Sequence, residues 1–507
     1  MTAHPLAALT AHQMLTAFAQ GTLTPSTLLD ALLAHIAAIN PAINALTAFD
    51  IDAARAEAAL STQRWAKGQP KGLLDGLPIG VKDLQETKGL LTTYGNPRSR
   101  NHVPVQDLPM VARLRAAGAI VLAKTNVPEL GAGGNTRNPV WGATGNPFNP
   151  ALIVGGSSGG SAAALAADLV PLATGSDTGG SLRLPAALCG IVGYRPSVDV
   201  IAHPTRPLGW SAISVLGPMA RTVDDLVLML RACHGFDPGD PLSAPSDPAR
   251  FDALLPRDPG TLRLGYSEDF GGAPVDPQIR ATFRARLAAL KPDVAELRPV
   301  DLTLGAMDRA FDILRAESFV AAFGTATQTD PDNFGPHIHA NVQLGLGFSL
   351  ADRAWAHAEQ TRILRQFNAR IAGLDAILLP TAPVSPFPWT QSHATQIDGQ
   401  DMDIYYRWLA LTYRGSLTGG PAITLPSGLD PAGMPFGLQL LGPVRGDAGL
   451  LACARSLEAL LARDPDTARP RPDLDALTRS TVDLRAIVTH PPQSDAASAA
   501  LSAPTAV

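Results

Sequence analysis

Apolar residues recur along this chain with two alternating periods, one of about 3.6 residues and one of two, which predicts helices interleaved with strands. Residues 5–39 read as two helices. The second opens with Thr24 as N-cap and Pro25 at the first helical position, and it places Leu28, Leu29, Leu32 and Leu33 toward a core. An alanine-rich helix follows at about 51–66. In the stretch LLDGLPIGVKD (73–83) the period becomes two: Leu77, Ile79 and Val81 fall on one face and Pro78, Gly80 and Lys82 on the other. Lys82 therefore ends a predicted strand on its open face.

The segment 107–123 predicts a helix with Val111, Leu114 and Ala117 inward, closed by Gly118 and followed by the strand AIVLA. Periodicity is then lost over 125–150, a stretch rich in Gly, Asn and Pro that reads as a long ordered loop. Ser161–Leu169 predicts a short helix and LVPLATG a buried strand. Segments 190–200 and 216–235 supply another strand or turn and a helix capped by Thr222. After a Pro/Asp/Ser-rich surface excursion at 237–259 the alternation resumes, with strands at 262–267, 294–299 and 375–383 and helices at 277–290, 304–323, 350–372 and 447–463. PAITLPSG and PFGLQLLG flank a turn as a hairpin. Segment 325–349 reads as irregular and as a cover for a pocket; the residues from 485 to 507 read as a tail without structure.

Composition narrows the class. Among 507 residues, 46% are hydrophobic and 17% charged, and the net charge is −5, which gives no electrostatic reason to expect a nucleic-acid partner. The N-terminus lacks a signal-peptide pattern and no stretch offers about 18 uncharged apolar residues, so a cytoplasmic chain without a membrane partner is expected. Cys189, Cys233 and Cys453 lie far apart, with no CxxC or Cys/His cluster, and are expected to be buried apolar residues; no metal site is expected.

Two glycine-serine loops, VGGSSGG (154–160) and GSDTGGSLRLP (175–185), bracket the short helix. Glycine lets backbone N–H groups approach an anion or a developing oxyanion. A phosphate loop is disfavoured, because the GK[ST] ending is absent. Gly155-x-Ser157-x-Gly159 also matches the nucleophile elbow of an α/β-hydrolase esterase, with histidines downstream at 337, 339, 357 and 393. Lysine is scarce, at 67, 71, 82, 88, 124 and 291, and only Lys82 invites a special reading. It is either a strand-end lysine reaching solvent, or a partly desolvated amine whose lowered pKa makes it a base.

The second loop separates these readings, since an elbow does not require it. GLPIGVKD, AGAIVLAKTN, GGSSGGSAAALAA, GSDTGGSLRLPAALCGIVGYRP and LGPMARTVDDL, in this order, closely resemble the amidase signature family over most of residues 25–465. The resemblance implies a single α/β/α domain with a large twisted mixed sheet, spanning 1–484: N-terminal helices 5–66, core signature 73–235, C-terminal part 260–465. It also implies a serine–cis-serine–lysine triad in which Ser181 is the nucleophile, Ser157 the bridge, joined through a cis Gly156–Ser157 peptide, and Lys82 the base. Ser157 lies 75 residues after Lys82 and Ser181 lies 24 after Ser157, as in the family.

By the same resemblance the backbone N–H groups of Thr178, Gly179, Gly180 and Ser181 form the oxyanion hole. Asp177 and Arg183 support the nucleophile loop, and Gly131, Ala132 and Gly133 line the acyl side of the pocket; Ser158 reads either as holding its loop by hydrogen bonds or as capping the helix that follows. Departures are Val154, where proline is usual, and YRPS in place of LKPT. The implied activity is hydrolysis of a small-molecule amide, or a carbamate or ester, through an acyl-enzyme and without cofactor, with a homodimer left open. The alternative within the family is the glutaminase-type subunit of a tRNA-dependent amidotransferase.

Overall fold

The segments rich in Ile, Val and Leu come together as one eleven-stranded mixed sheet in the computed structural model, which describes residues 5–493. In chain order its strands are β1 (Leu46–Phe49), β2 (Pro78–Lys82), β3 (Ile120–Thr125), β4 (Leu172–Asp177), β5 (Val192–Arg195), β6 (Val215–Ala220), β7 (Arg263–Tyr266), β8 (Glu296–Pro299), β9 (Ala376–Pro380), β10 (Ala422–Leu429) and β11 (Pro435–Leu441). They lie side by side as β1-β3-β2-β4-β6-β5-β10-β11-β9-β7-β8. β2 is parallel to both its neighbours, β3 and β4, whereas the centre from β4 to β9 is antiparallel, including the expected hairpin β10–β11. The α/β class with helices around a large mixed sheet is thus the observed one.

The first three helices, α1 (Ala11–Ala19), α2 (Pro25–Ile43) and α3 (Ile51–Ala66), form as their caps dictate: Thr10, Thr24 and Asp50 each accept a backbone N–H in the first turn. By length and composition α2 could cross a membrane. Here its Leu29, Leu33, Ile36, Ile39 and Ile43 pack into the core with α5 (Gly159–Ala166) against β3. Helices α4 (Pro109–Ala116) and α7 (Val223–Cys233) lie against the other face, where Ile79 and Val81 also point. The parity read for β2 therefore holds, but the face of Lys82 is not open. It is covered by α5 and the loop before it, and Lys82 is wholly buried.

α5 can press this close because its residues are small. A Cβ at Gly160 would stand 2.2 Å from the backbone N of Asn126. Helix α6 (Arg183–Cys189) follows the second serine loop and packs on β5, β10 and β11. α8 (Pro277–Leu290), α9 (Met307–Thr329), α10 (Pro336–Leu346), α11 (Leu350–Ile371), α12 (Ala410–Leu417) and α13 (Asp447–Leu461) complete the body.

Segment 325–349 corrects the sequence reading: it is the end of α9 followed by α10, not irregular chain. The N-terminus of α10 is capped from outside, the Glu129 carboxylate accepting the Gly335 N–H at 2.9 Å. Residues 485–493, expected in an unstructured tail, hold to the body, with the Thr489 N–H donating to the Pro139 carbonyl and Ile487 packed beside Leu484. The rest of the expected tail, 494–507, lies outside the described residues. Cys189, Cys233 and Cys453 are buried and unpaired.

Candidate active site

Two adjacent parallel strands set the site. β2 and β4 run in register, Gly80 opposite Ala173, so both end at the same edge of the sheet. Lys82 terminates β2 and Asp177 terminates β4, and the Lys82 N–H donates to Thr174 Oγ1 at 2.9 Å. Carboxyl ends of neighbouring parallel strands are where α/β folds commonly place chemistry. The two serine loops meet over this edge, joined by the Ser158 N–H donating to the Ser181 carbonyl at 3.2 Å.

Lys82 Nζ lies 2.8 Å from Ser157 Oγ, 2.8 Å from Ser158 Oγ and 2.9 Å from Ser176 Oγ. Burial pushes its pKa well below the ordinary lysine value, with Asp177 pulling weakly the other way. An amine kept neutral in this way can take a proton from Ser157. The Gly156–Ser157 peptide is cis. Ser157 and Ser181 both open into one cavity of about 520 Å³, whose wall also includes Gly131, Ser176 and Thr178. Among the described residues no histidine bonds to Ser157 or Ser181: His337 pairs with Ala132 O and Ser392, His339 with Pro331 O, and His357 with Glu317. The esterase elbow has no base here.

The second loop is fixed by buried charge. Arg183 Nε and Nη2 donate to Asp177 at 2.9 and 3.0 Å, while its other contacts reach Gln439 and Ser416. Burial alone would raise the Asp177 pKa, but Arg183 and Arg195 hold the carboxyl well below its usual range. Arg195 carries no local pattern that marks it in the sequence. It is the arginine of YRPS, donating to both Asp177 O (2.6 Å) and Oδ1 (3.2 Å), so this departure from the family pattern adds a support to the loop. The other departure, Val154, is buried against the first turn of α5. Ser158 occupies the N-cap position of α5, but its hydroxyl makes no cap hydrogen bond and faces Lys82 instead.

Three expectations need correction. The Gly180 N–H is taken by Asp177 Oδ1 at 2.9 Å, which leaves Thr178, Gly179 and Ser181 as the loop's N–H groups without a hydrogen bond to any other described residue. Only Gly131 of the proposed pocket glycines and alanine reaches the cavity. A Cβ there would stand 3.5 Å from Ser157 Oγ; Ala132 lines a neighbouring cavity of about 460 Å³, and Gly133 faces His337. Lys124, expected to be ordinary, is as buried as Lys82. Burial lowers it to about 8, and its Nζ donates to Gln85 O and to Thr87 Oγ1 (2.8 Å), which pins the turn after Lys82.

Two serines on adjoining loops beside a buried lysine amine are the parts of a serine hydrolase, and the family match makes it one that acts on amide bonds. The chain belongs to the amidase family, whose model, described as Amidase, matches residues 27–451. Among curated relatives it is similar to the A-type subunit of the glutamyl-tRNA(Gln) amidotransferase of Roseiflexus sp. (strain RS-1), 35% identical over 86% of this chain and 93% of that protein. Among solved structures it is similar to a bacterial aryl acylamidase of the amidase signature family (TM-score 0.85, 25% identity, 94% of this chain and 99% of that one). It is also similar to the peptide amidase of Stenotrophomonas maltophilia (TM-score 0.76, 25% identity, 93% and 100%).

Proposed function

We propose that the chain hydrolyses a small-molecule carboxylic amide on its own, through Ser181 as nucleophile and an acyl-enzyme intermediate. The observation that carries this reading is the wholly buried Lys82 amine, 2.8 Å from Ser157 Oγ, with no carboxylate bonded to it. Neutral Lys82 takes the proton of Ser157, Ser157 takes that of Ser181, and the Ser181 oxygen attacks the carbonyl. The oxyanion is met by the N–H groups of Thr178, Gly179 and Ser181. Each such donor is worth about 100- to 1000-fold in rate. The proton returns through Ser157 to the leaving amine, and water then cleaves the acyl-enzyme by the same relay. The chemistry asks for no cofactor, and a cytoplasmic setting suits it.

A second reading is supported by the curated relatives: a glutaminase-type subunit that supplies ammonia to a partner. The likeness to an aryl acylamidase and a peptide amidase across more than nine-tenths of the chain supports the first. Purified chain, with and without EDTA, is to be assayed on aryl amides, peptide amides, carbamates, esters and glutamine. Hydrolysis of an aryl or peptide amide by the chain alone, unchanged by EDTA, is expected. Turnover confined to glutamine and dependent on an added partner would establish the second reading instead.

A further inference from the structure

The cavity that holds Ser157 and Ser181 has a positive wall that the proton relay does not use. Arg315, on α9, lines it beside Ser318, Phe319 and Phe323, and is only 7% exposed. All its partners are neutral. Nε donates to Asn341 Oδ1 at 3.1 Å and Nη2 to the Tyr405 hydroxyl at 2.7 Å. The guanidinium carbon stands 4.8 Å from the centre of the Phe319 ring and 4.9 Å from that of Tyr406.

The contrast with the other buried arginines is direct. Arg183, Arg195, Arg206, Arg221 and Arg414 each pair with an aspartate. Among the described residues no Asp or Glu pairs with Arg315, and no hydrogen bond reaches its Nη1. Glu86, the acidic residue of the cavity wall, is engaged by the Tyr94 hydroxyl and by His102. A buried charge without a counter-charge is costly, and in a binding cavity the compensating charge comes with the ligand. A second observation points the same way. Arg206, also lining the cavity and 6% exposed, spends Nε and Nη1 on Ser214 O, Gly209 O and Asp240, while its buried Nη2 has no hydrogen-bond partner.

We propose that Arg315 selects substrates that carry a carboxylate on one side of the scissile amide. The rings of Phe319 and Phe323 with Leu130 and Leu216 give the wall an apolar part, which suits an apolar spacer between carboxylate and amide. This rests on the reading of the cavity as the acyl-transfer site and adds the substrate class to it.

The test is calorimetric binding to the full chain in a Ser181→Ala background, with benzoate and glutarate against benzamide and glutaramide. Charge-assisted hydrogen bonds predict carboxylates bound at least about tenfold tighter than the amides, a gap that Arg315→Gln closes and Arg315→Lys partly retains. Equal affinities, absent carboxylate binding, or the same gap in Arg315→Gln would overturn the proposal. If Arg315→Gln does not fold, the comparison in the parent background and in Arg315→Lys still decides. Fluorophosphonate labelling of Ser181 in the otherwise unaltered chain reads the acyl-transfer assignment separately: lost labelling with intact carboxylate binding would count against the chemistry and not against the anion site.

Discussion

Charge on Lys82 would cost desolvation that its surroundings do not return, since three serine hydroxyls offer it dipoles, and Asp177, the carboxylate whose field reaches it, is already paired with Arg183 and Arg195. The neutral amine is therefore populated above a pKa displaced downward from 10.5. Because the neutral form is the proton acceptor, kcat/KM is expected to rise with pH on a limb below the ordinary lysine range. Lys82→Ala should lower kcat by about 100- to 10,000-fold and remove that limb; a pH–rate profile of both proteins checks this. Strand parity drew attention to Lys82, but nothing local distinguished Lys124, whose burial follows from its place under the turn at 85–87. Arg195, Arg206 and Arg315 were illegible in the sequence for a similar reason, because their partners lie on other elements.

At the scale of elements, the nucleophile loop is held by contacts that admit no larger residue. Gly180 has φ +121° and an added Cβ would stand 2.2 Å from Thr412 Oγ1, whose hydroxyl donates to the Gly179 carbonyl at 2.7 Å. Gly180→Ala is expected to displace the loop and lower kcat at least about 100-fold, as loss of an oxyanion donor would. Thr412→Ser should not rescue it, since the backbone conformation itself disfavours a side chain; steady-state kinetics of the single and double variants test this. Helix α10 depends on a carboxylate 206 residues away, Glu129, which no capping pattern near Pro336 announces. Its missing Ser, Thr or Asp cap is why the segment read as irregular. Glu129→Ala should cost about 1–2 kcal/mol in urea unfolding, the range of a lost cap.

Across the whole molecule, the alternation of periods was sufficient for an α/β class with helices around a sheet, and the two serine loops with Lys82 for the family. Strand order was beyond such a reading. β5 pairs with β10 and β9 with β11, partners set by packing between distant parts of the chain and not by local pattern. The same separation explains the site: Lys82, Ser157 and Ser181 come from three segments that meet because β2 and β4 end together. The assignment of roles among them is the central claim, and covalent labelling with a fluorophosphonate followed by peptide mass spectrometry tests it most directly. Label on Ser181, much slowed in Lys82→Ala and in Ser157→Ala, is the expected result. Label on Ser157 in its place, or labelling of Ser181 indifferent to Lys82, would contradict it.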